Sequence, residues 1–414
     1  MRFVADVHMH SKYSRATSPA MELPTLSLWA KRKGIQLLGT GDFTHPEWLH
    51  ELREQLQPAG DGLYSYDGVH WMLTTEVNNL FYRQGAAKTI HNILCVPSIE
   101  TAERVNTALG RYGNLAADGR PTVALDARDM VKLLMDIDAR IMIIPAHIWT
   151  PWFSLFGSHS GFNSIDDCFG DQTQHITALE TGLSSDPAMN WRLSSLDRFS
   201  LISNSDSHSP SRIGREANVF DCELTYDAIA ETLRTRDATR FLFTVEFFPE
   251  EGKYHFDGHR KCQARLSPAE TRAKHGQCPV CGRKVTVGVM HRVEALADRP
   301  EGFVLPGAPA FRNLVALDEI IADAVGKGKQ TATVEREYLQ LITRLGTEFD
   351  ILLHGPAETL RTHCPPKIAE GIVRVREGRV HIAPGYDGEY GTINIFADDK
   401  DEANIAAEQQ MQLF

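Results

Sequence analysis

The chain has no apolar run approaching the roughly 18 residues needed to cross a bilayer, which excludes a helical membrane protein. Internal repeats and low-complexity tracts are absent, so neither a solenoid nor a disordered scaffold is expected. Cysteine is scarce and odd in number, seven in 414 residues, and two form the knuckle Cys278-Pro279-Val280-Cys281. That usage favours metal over disulfides and a reducing compartment. No apolar signal region precedes the first polar motif, so secretion is not expected and the location reads as cytoplasmic, without a membrane partner. Positive charge is in deficit: Lys and Arg number 43 against 54 Asp and Glu, a formal net charge of −11. Such a balance argues against coating nucleic acid non-specifically. Nucleic acid as a substrate stays open, because acids can be ligands for cations that sit where a phosphate would bind.

What is present is a soluble globular composition, 42% hydrophobic and 23% charged, on a chain long enough for two or three domains. Up to about residue 248, apolar β-rich runs (2–7, 35–40, 71–77, 89–96, 140–145, 176–180, 200–204, 241–245) alternate with amphipathic helical stretches (24–33, 46–56, 98–109, 126–138, 187–195, 224–235). Nearly continuous apolar strands suit a sheet covered on both faces. The alternation predicts an α/β domain of βα units around a mostly parallel sheet, a distorted barrel.

Metal-ligand residue types recur at the ends of these strands, the rim where barrel enzymes carry their chemistry. The first strand ends in His8-Met9-His10, whose imidazoles share one strand face and can converge on one cation. The later strands supply Asp42 and His45, then Glu76, His91, His147 and Glu180, and finally Asp206 with His208. Six or seven such residues in series make a structural accident improbable. Individually the bland readings differ: Asp42 could cap the helix beginning near Pro46, and His45 and Glu180 could sit behind the ligands or in loops.

Beyond 249 the pattern changes. His259 and Cys262, then Cys278 and Cys281, have the spacing of a structural zinc site, with His255 or His291 as alternatives to His259. A ribbon this small has little core, so the metal supplies most of its folding free energy. Between 250 and 299 ten Lys and Arg stand against six Asp and Glu, a local +4 that suits a nucleic-acid clamp as well as a solvated surface. Residues 296–312, with three prolines, read as a linker. After it come helices at 314–325, 333–345 and 366–377, a short strand or buried turn at 350–353, and a turn-rich segment 384–391 that includes Tyr386. The expected domains are 1–248 (barrel), 249–299 (zinc module) and 300–414 (mainly helical, a candidate DNA contact).

Clustered imidazoles and carboxylates suit two or three divalent cations, with Glu76 the obvious shared ligand since it has two oxygens. Such a centre acidifies a water and clamps a phosphoester displacement. Glu76, Asp206 and His147 are the candidate catalytic residues. Amidohydrolase barrels also begin with His-x-His, but they add a bridging lysine that no strand end here supplies.

In order, Asp6-Val7-His8-Met9-His10-Ser11, Gly41-Asp42, Glu76, His91, His147 and Asp206-Ser207-His208 resemble the motifs of the polymerase and histidinol phosphatase (PHP) domain. The resemblance implies a distorted (βα)₇ barrel that hydrolyses phosphoesters with a di- or trinuclear centre of zinc, manganese or magnesium. It implies that His8, His10, Glu76 and Asp206 hold one metal, that Glu76, His91 and His147 hold a second, and that His208 belongs to a third. Ala16 and Phe43 stand where some members carry histidines, so a third metal depends on Asp42 or His45 substituting. The string Gly41-Asp42-Phe43-Thr44-His45-Pro46, the Cys-rich module, Ala369-Glu370-Gly371-Ile372 and Pro384-Gly385-Tyr386-Asp387-Gly388 carry the likeness further, over nearly the whole chain, to the endonuclease Q family. That resemblance implies a repair nuclease that cuts DNA 5′ of deaminated bases (uracil, hypoxanthine, xanthine) and abasic sites, leaving a 3′-hydroxyl and a 5′-phosphate.

A lesion reader must expose the base from the stack. The loop after His147 offers Trp149, Trp152, Phe153, Phe156 and Phe162 for stacking, with serines between them, and Tyr386 is a further candidate contact. An apolar lid packed on the barrel is the competing reading of that loop. Two other functions compete: a phosphatase or exonuclease acting on small phosphoesters or strand ends, and a non-catalytic DNA-binding scaffold. No protein partner is named by the sequence.

Overall fold

The near-continuous apolar runs of the first half become strands covered on both faces, and these close into a ring. The computed structural model describes residues 1–83 and 85–397; the end of the expected C-terminal region, 398–414, lies outside them. The ring strands are β1 (Arg2–Asp6), β2 (Leu37–Gly39), β3 (Val69–Arg83), β4 (Ala86–Val96), β5 (Met142–Pro145), β6 (Ala178–Glu180) and β7 (Ser200–Ile202). Strands β1, β2 and β3 pair in parallel, as do β6 and β7. A parallel bridge between Ile143 and Ile176 joins β5 to the lead-in of β6, and another, Met9 to Ser207, brings the chain after β7 back to the chain after β1.

One strand departs from the expected alternation. β4 runs antiparallel to both neighbours. Only residues 84 and 85 separate it from β3, and a parallel partner needs a crossover of about a dozen residues. The ring is distorted at a second place. The outer edge of β1 is taken by an antiparallel strand, β8 (Ala217–Asp221), so β7 cannot ladder onto it. Side-chain amides substitute: Asn204 Oδ1 accepts the Val7 N–H at 2.9 Å, and Asn218 Nδ2 donates to the Ser203 carbonyl at 2.7 Å.

Helices α1 (Leu23–Lys33), α2 (Pro46–Gln55), α3 (Ile99–Leu109), α4 (Ala127–Ile137) and α5 (Tyr226–Thr235) follow the predicted positions closely. Ser98, Asp126 and Thr225 cap α3, α4 and α5 by accepting first-turn N–H groups. The expected helix at 187–195 is instead one turn, Pro187–Asn190, and a 3₁₀ turn at Ser194–Leu196. The Arg192 carbonyl, which would continue the helix, accepts the N–H groups of Asp298 and Arg299.

After β8, β9 (Phe241–Glu246) extends the sheet and pairs in parallel with β10 (Ala310–Asn313). The expected linker therefore ends inside the barrel's own sheet and ties the C-terminal region to it. The zinc-type module is a hairpin, Asp257–His259 with Ala264–Leu266, and its buried core is only Ala264, Leu266, Cys278 and Val285. Helices α6 (Leu317–Val325), α7 (Ala332–Leu345) and α8 (Pro366–Arg376) form most of the last region. Asp350–His354 is a widened helical turn rather than a strand, closed by the Gly355 N–H on the Asp350 carbonyl. This region docks on the barrel through Lys33 Nζ and Glu348 Oε2, 3.2 Å apart and both buried, with the Tyr338 hydroxyl donating to the same carboxylate at 2.8 Å. A buried pair is costly to break once its partner is removed. Among the described residues no helix is long and apolar enough to cross a membrane.

Candidate metal centre and its cavity

The barrel brings histidines and acids to one rim, where they form two overlapping groups; Glu76 and His91 come from within the long strands β3 and β4 rather than from the expected strand ends. Ligand atoms of His8, His10, Glu76 and Asp206 lie within 4.8 Å of one another, and so do those of Glu76, His91 and His147. Glu76 belongs to both. Its Oε2 is 3.1 Å from His10 Nε2 and 3.5 Å from His8 Nε2, while Oε1 is 2.6 Å from His91 Nδ1 and 2.9 Å from His147 Nε2. Asp206 Oδ1 lies 3.1 Å from His10 Nε2. Three residues of the centre and its support, Asp42, His147 and Asp206, have left-handed backbone at φ 51°, 30° and 45°. Strain of this kind persists where surrounding structure holds it, commonly at functional sites.

Each imidazole of the first group is aimed by a carboxylate behind it. Glu180 accepts from His8 Nδ1 at 3.0 Å and also takes the His147 backbone N–H at 2.9 Å. Asp42 accepts from His10 Nδ1 at 3.0 Å, and its other oxygen is filled by the Ser11 N–H, the Ser11 hydroxyl and the Ser14 hydroxyl. Asp42 is thus neither the expected ligand nor a helix cap. It fixes the tautomer and angle of His10, as carboxylates do behind metal-binding histidines. His45, the N-cap of α2, stacks on Tyr13 outside both groups. His208 also lies outside them: its Nδ1 is 2.9 Å from the Asp206 carbonyl oxygen, and its ring packs 4.5 Å from that of His10.

The electrostatics fit cations. Burial pushes the His8 and His10 imidazoles down, but the carboxylates at their edges (Glu180 and Asp42 foremost) outweigh it and hold both well above the usual range. Burial likewise opposes ionisation of Glu76 and Asp206, yet the surrounding imidazoles hold both well below the usual carboxylate range. His8 Nε2 is buried without a hydrogen-bond partner, at the point where a ligand bond to a cation would satisfy it. The imidazole and carboxylate donors suit zinc or manganese, so the residues present fit a multinuclear centre.

A cavity of about 710 Å³ opens from His91, His147 and Asp206 and runs between the barrel, the segment 251–254 and the C-terminal region. Of the aromatic candidates, Trp152 and Phe153 line it. Phe153 is 51% exposed and stacks on His91 with ring centroids 5.6 Å apart. Trp149, Phe156 and Phe162 do not reach it; they are buried core, with Trp149 Nε1 donating to Asn190 Oδ1 at 2.7 Å. Tyr386 lies against Gly258 in a bridge with Phe256 and serves the turn rather than the cavity. Sequence reasoning missed Tyr254, Tyr390 and Arg120, all of which line the cavity. The tight Asp118-Gly119-Arg120-Pro121 turn was the only signal for the last.

Away from the rim, His259, Cys262, Cys278 and Cys281 also converge within 4.8 Å, with Cys281 Sγ 3.4 Å from His259 Nδ1. Three thiols and an imidazole make a donor set for tetrahedral zinc. The alternatives lie outside this cluster: His255 is buried beside Phe256, and His291 Nδ1 bonds Asp257 Oδ2 at 2.7 Å.

Comparison with known proteins adds to this geometry. The family described as the MJ0043 C-terminal domain matches residues 316–379. Protein MJ0043 of Methanocaldococcus jannaschii is 32% identical over 255 residues, 59% of this chain but only 31% of that longer protein. Protein YqxK of Bacillus subtilis is 28% identical over 375 residues, covering 88% of this chain and 90% of YqxK. Among solved structures, the lesion-specific endonuclease PfuEndoQ of Pyrococcus furiosus superposes with a TM-score of 0.86 at 31% identity, covering 95% of both chains. An endonuclease Q bound to a 27-mer duplex with an abasic lesion at its active site gives 0.85 at 30% identity, covering 96% of this chain and 98% of that one. With identity and fold shared across almost the full length of both solved chains, this protein belongs to the endonuclease Q family.

Proposed function

We propose that this protein is a metal-dependent DNA repair endonuclease that nicks a duplex 5′ of a lesion, leaving a 3′-hydroxyl and a 5′-phosphate. Abasic sites and the deaminated bases uracil, hypoxanthine and xanthine are the proposed substrates. The observation that carries the reading is the buried pair of overlapping ligand groups opening on a cavity large enough for a nucleotide. The near-complete likeness to a relative bound to abasic duplex supports it.

In this reading His8, His10, Glu76 and Asp206 hold one ion, and Glu76, His91 and His147 hold a second. Bound divalent ions supply the Lewis acidity that lowers the pKa of a water and offsets charge on the phosphoester. Glu180 and Asp42 hold His8 and His10 in the tautomer that leaves Nε2 free to coordinate. Trp152, Phe153, Tyr254 and Tyr390 offer faces on which an unstacked base can lie, each stack contributing about 1–3 kcal/mol. His259, Cys262, Cys278 and Cys281 hold one structural zinc, and the basic module around them lies against DNA.

The test is a set of labelled duplexes carrying one abasic site, uracil, hypoxanthine or no lesion, incubated with Mg²⁺ or Mn²⁺. Nicking confined to the 5′ side of the lesion is the expected result. Trimming from ends, cutting without lesion preference, or binding without cleavage would each overturn it.

A further inference from the structure

The geometry points to Arg120 as a catalytic residue that grips a non-bridging oxygen of the scissile phosphate, an inference that rests on the phosphodiesterase reading above. Arg120 sits on the 118–121 turn, outside every run that pattern reading marks as functional. That turn is pressed onto the metal centre. The Gly119 N–H donates to the Tyr13 carbonyl at 3.1 Å, and the Gly119 carbonyl accepts from the Thr44 hydroxyl at 3.2 Å. A Cβ on Gly119 would lie 2.3 Å from Asp42 Oδ2, the carboxylate that aims His10, so only glycine fits. On either side of it, Asp118 Oδ1 accepts the Arg120 N–H at 3.2 Å, and the Pro121 carbonyl accepts the Asn78 N–H at 3.0 Å. The arginine is therefore carried on a turn held against Asp42, the carboxylate behind His10.

Its side chain is one-third exposed and lines the cavity beside His91, His147 and Asp206. One guanidinium nitrogen, Nη1, lies 3.3 Å from Glu76 Oε2. That contact is longer than those from His10, His91 and His147 to the same carboxylate, which are 3.1, 2.6 and 2.9 Å. Among the described residues the guanidinium makes no other hydrogen bond, which leaves its remaining N–H donors for something in the cavity. Arg212 and Arg215 also line the cavity, but Arg212 is paired with Glu319 at 2.6 Å and Arg215 donates from Nε to the Ser205 carbonyl at 2.9 Å, whereas Arg120 alone among the three touches the shared ligand Glu76. A planar fork of donors beside a phosphoester site matches two phosphate oxygens, which a lysine cannot do.

In the hydrolysis, water adds to phosphorus, the P–O3′ bond breaks, and O3′ takes up a proton as water gives one up. Negative charge on the non-bridging oxygens grows on the way, and preorganised donors at that point act on the rate more than on binding. Arg120→Ala and Arg120→Lys, loaded with metal, are compared with wild type on abasic duplex and on bis(4-nitrophenyl) phosphate. Metal content is read by plasma mass spectrometry, and inorganic phosphate is titrated as an inhibitor. We expect kcat to fall about 100- to 1000-fold in both variants, KM to change far less, and phosphate to inhibit more weakly. Metal content should stay at the wild-type level, and added guanidinium should restore part of the rate to Arg120→Ala alone. Wild-type turnover by either variant, or loss of rate in step with loss of metal, overturns the assignment. A wild type that cleaves bis(4-nitrophenyl) phosphate through Arg120 but leaves lesion duplexes whole sinks the lesion reading alone. Failure of wild type on both substrates sinks both.

Discussion

At the barrel rim, imidazoles and carboxylates come from segments scattered between residues 8 and 206, are buried apart from the half-buried Asp206, and open on a cavity. In the module beyond the barrel, one imidazole and three thiols lie between residues 259 and 281, reach the surface at Cys281, and have four small residues for a core. The first cluster is made by a fold that already exists, which spends burial and carboxylate braces to hold ligands in place. The second lies in a segment with little apolar surface of its own, so a zinc held there, as proposed, would supply most of the order. Ligands that a barrel positions can be spared for chemistry. Ligands that staple a ribbon cannot.

The contrast breaks most visibly if the metals are removed. Zinc binding to such modules is worth about 10–16 kcal/mol of folding free energy, so Cys278→Ser or a strong chelator should collapse amide protection across residues 257–285. Hydrogen exchange in β1–β7 should be untouched by Cys278→Ser. Loss of protection in both regions would mean that the module is not an independent fold. Next in size, Asp206→Asn should abolish cleavage while leaving the thermal transition of the barrel in place. Near-normal turnover would remove Asp206 from the centre.

A third prediction separates carboxylates that face imidazoles from one in the same barrel that accepts from threonine hydroxyls instead, Glu246. Among the described residues Glu246 has no ion-pair partner, and burial pushes its carboxyl up to about 8. A raised carboxyl favours the folded state at low pH and loses that advantage as pH climbs from the ordinary 4.5 toward 8, by up to about 1.4 kcal/mol per unit. Urea midpoints of the metal-free protein should therefore fall between pH 5 and 8, and Glu246→Gln should flatten part of that slope. An unchanged slope would place the titration elsewhere, for instance on Glu216, which burial also raises. Smaller still, Asp42→Asn and Glu180→Gln should weaken metal binding about 10- to 100-fold without unfolding the protein. Last, Trp152→Ala should weaken binding of lesion duplex by roughly 1–3 kcal/mol, whereas Trp149→Phe should cost stability and leave affinity alone.

The order of elements was readable because hydrophobic period and turn residues act locally. The direction of β4 was not readable: strands expected at 71–77 and 89–96 left room for a crossover, whereas the folded strands run on to Arg83 and resume at Ala86, too close for one. The aromatic loop shows a similar case. Trp149, Trp152, Phe153, Phe156 and Phe162 look alike in sequence, yet three are core and two face the cavity. Which is which depends on groups far away in the chain, such as Asn190 under Trp149. Asp42 looked like any other ligand because its partners, His10 and two serines, are brought around it only by folding.

By itself the sequence determined which side chains were available for cations and that one imidazole and three thiols of the Cys-rich ribbon stood close enough along the chain to meet, since ligand type and short spacing are properties of the local chain. Tertiary structure decided which of the rim residues touch, which only brace, and which cavity they share with Arg120. Those outcomes depend on contacts between distant segments, and a one-residue shift in how a strand pairs would turn each such side chain to the opposite face.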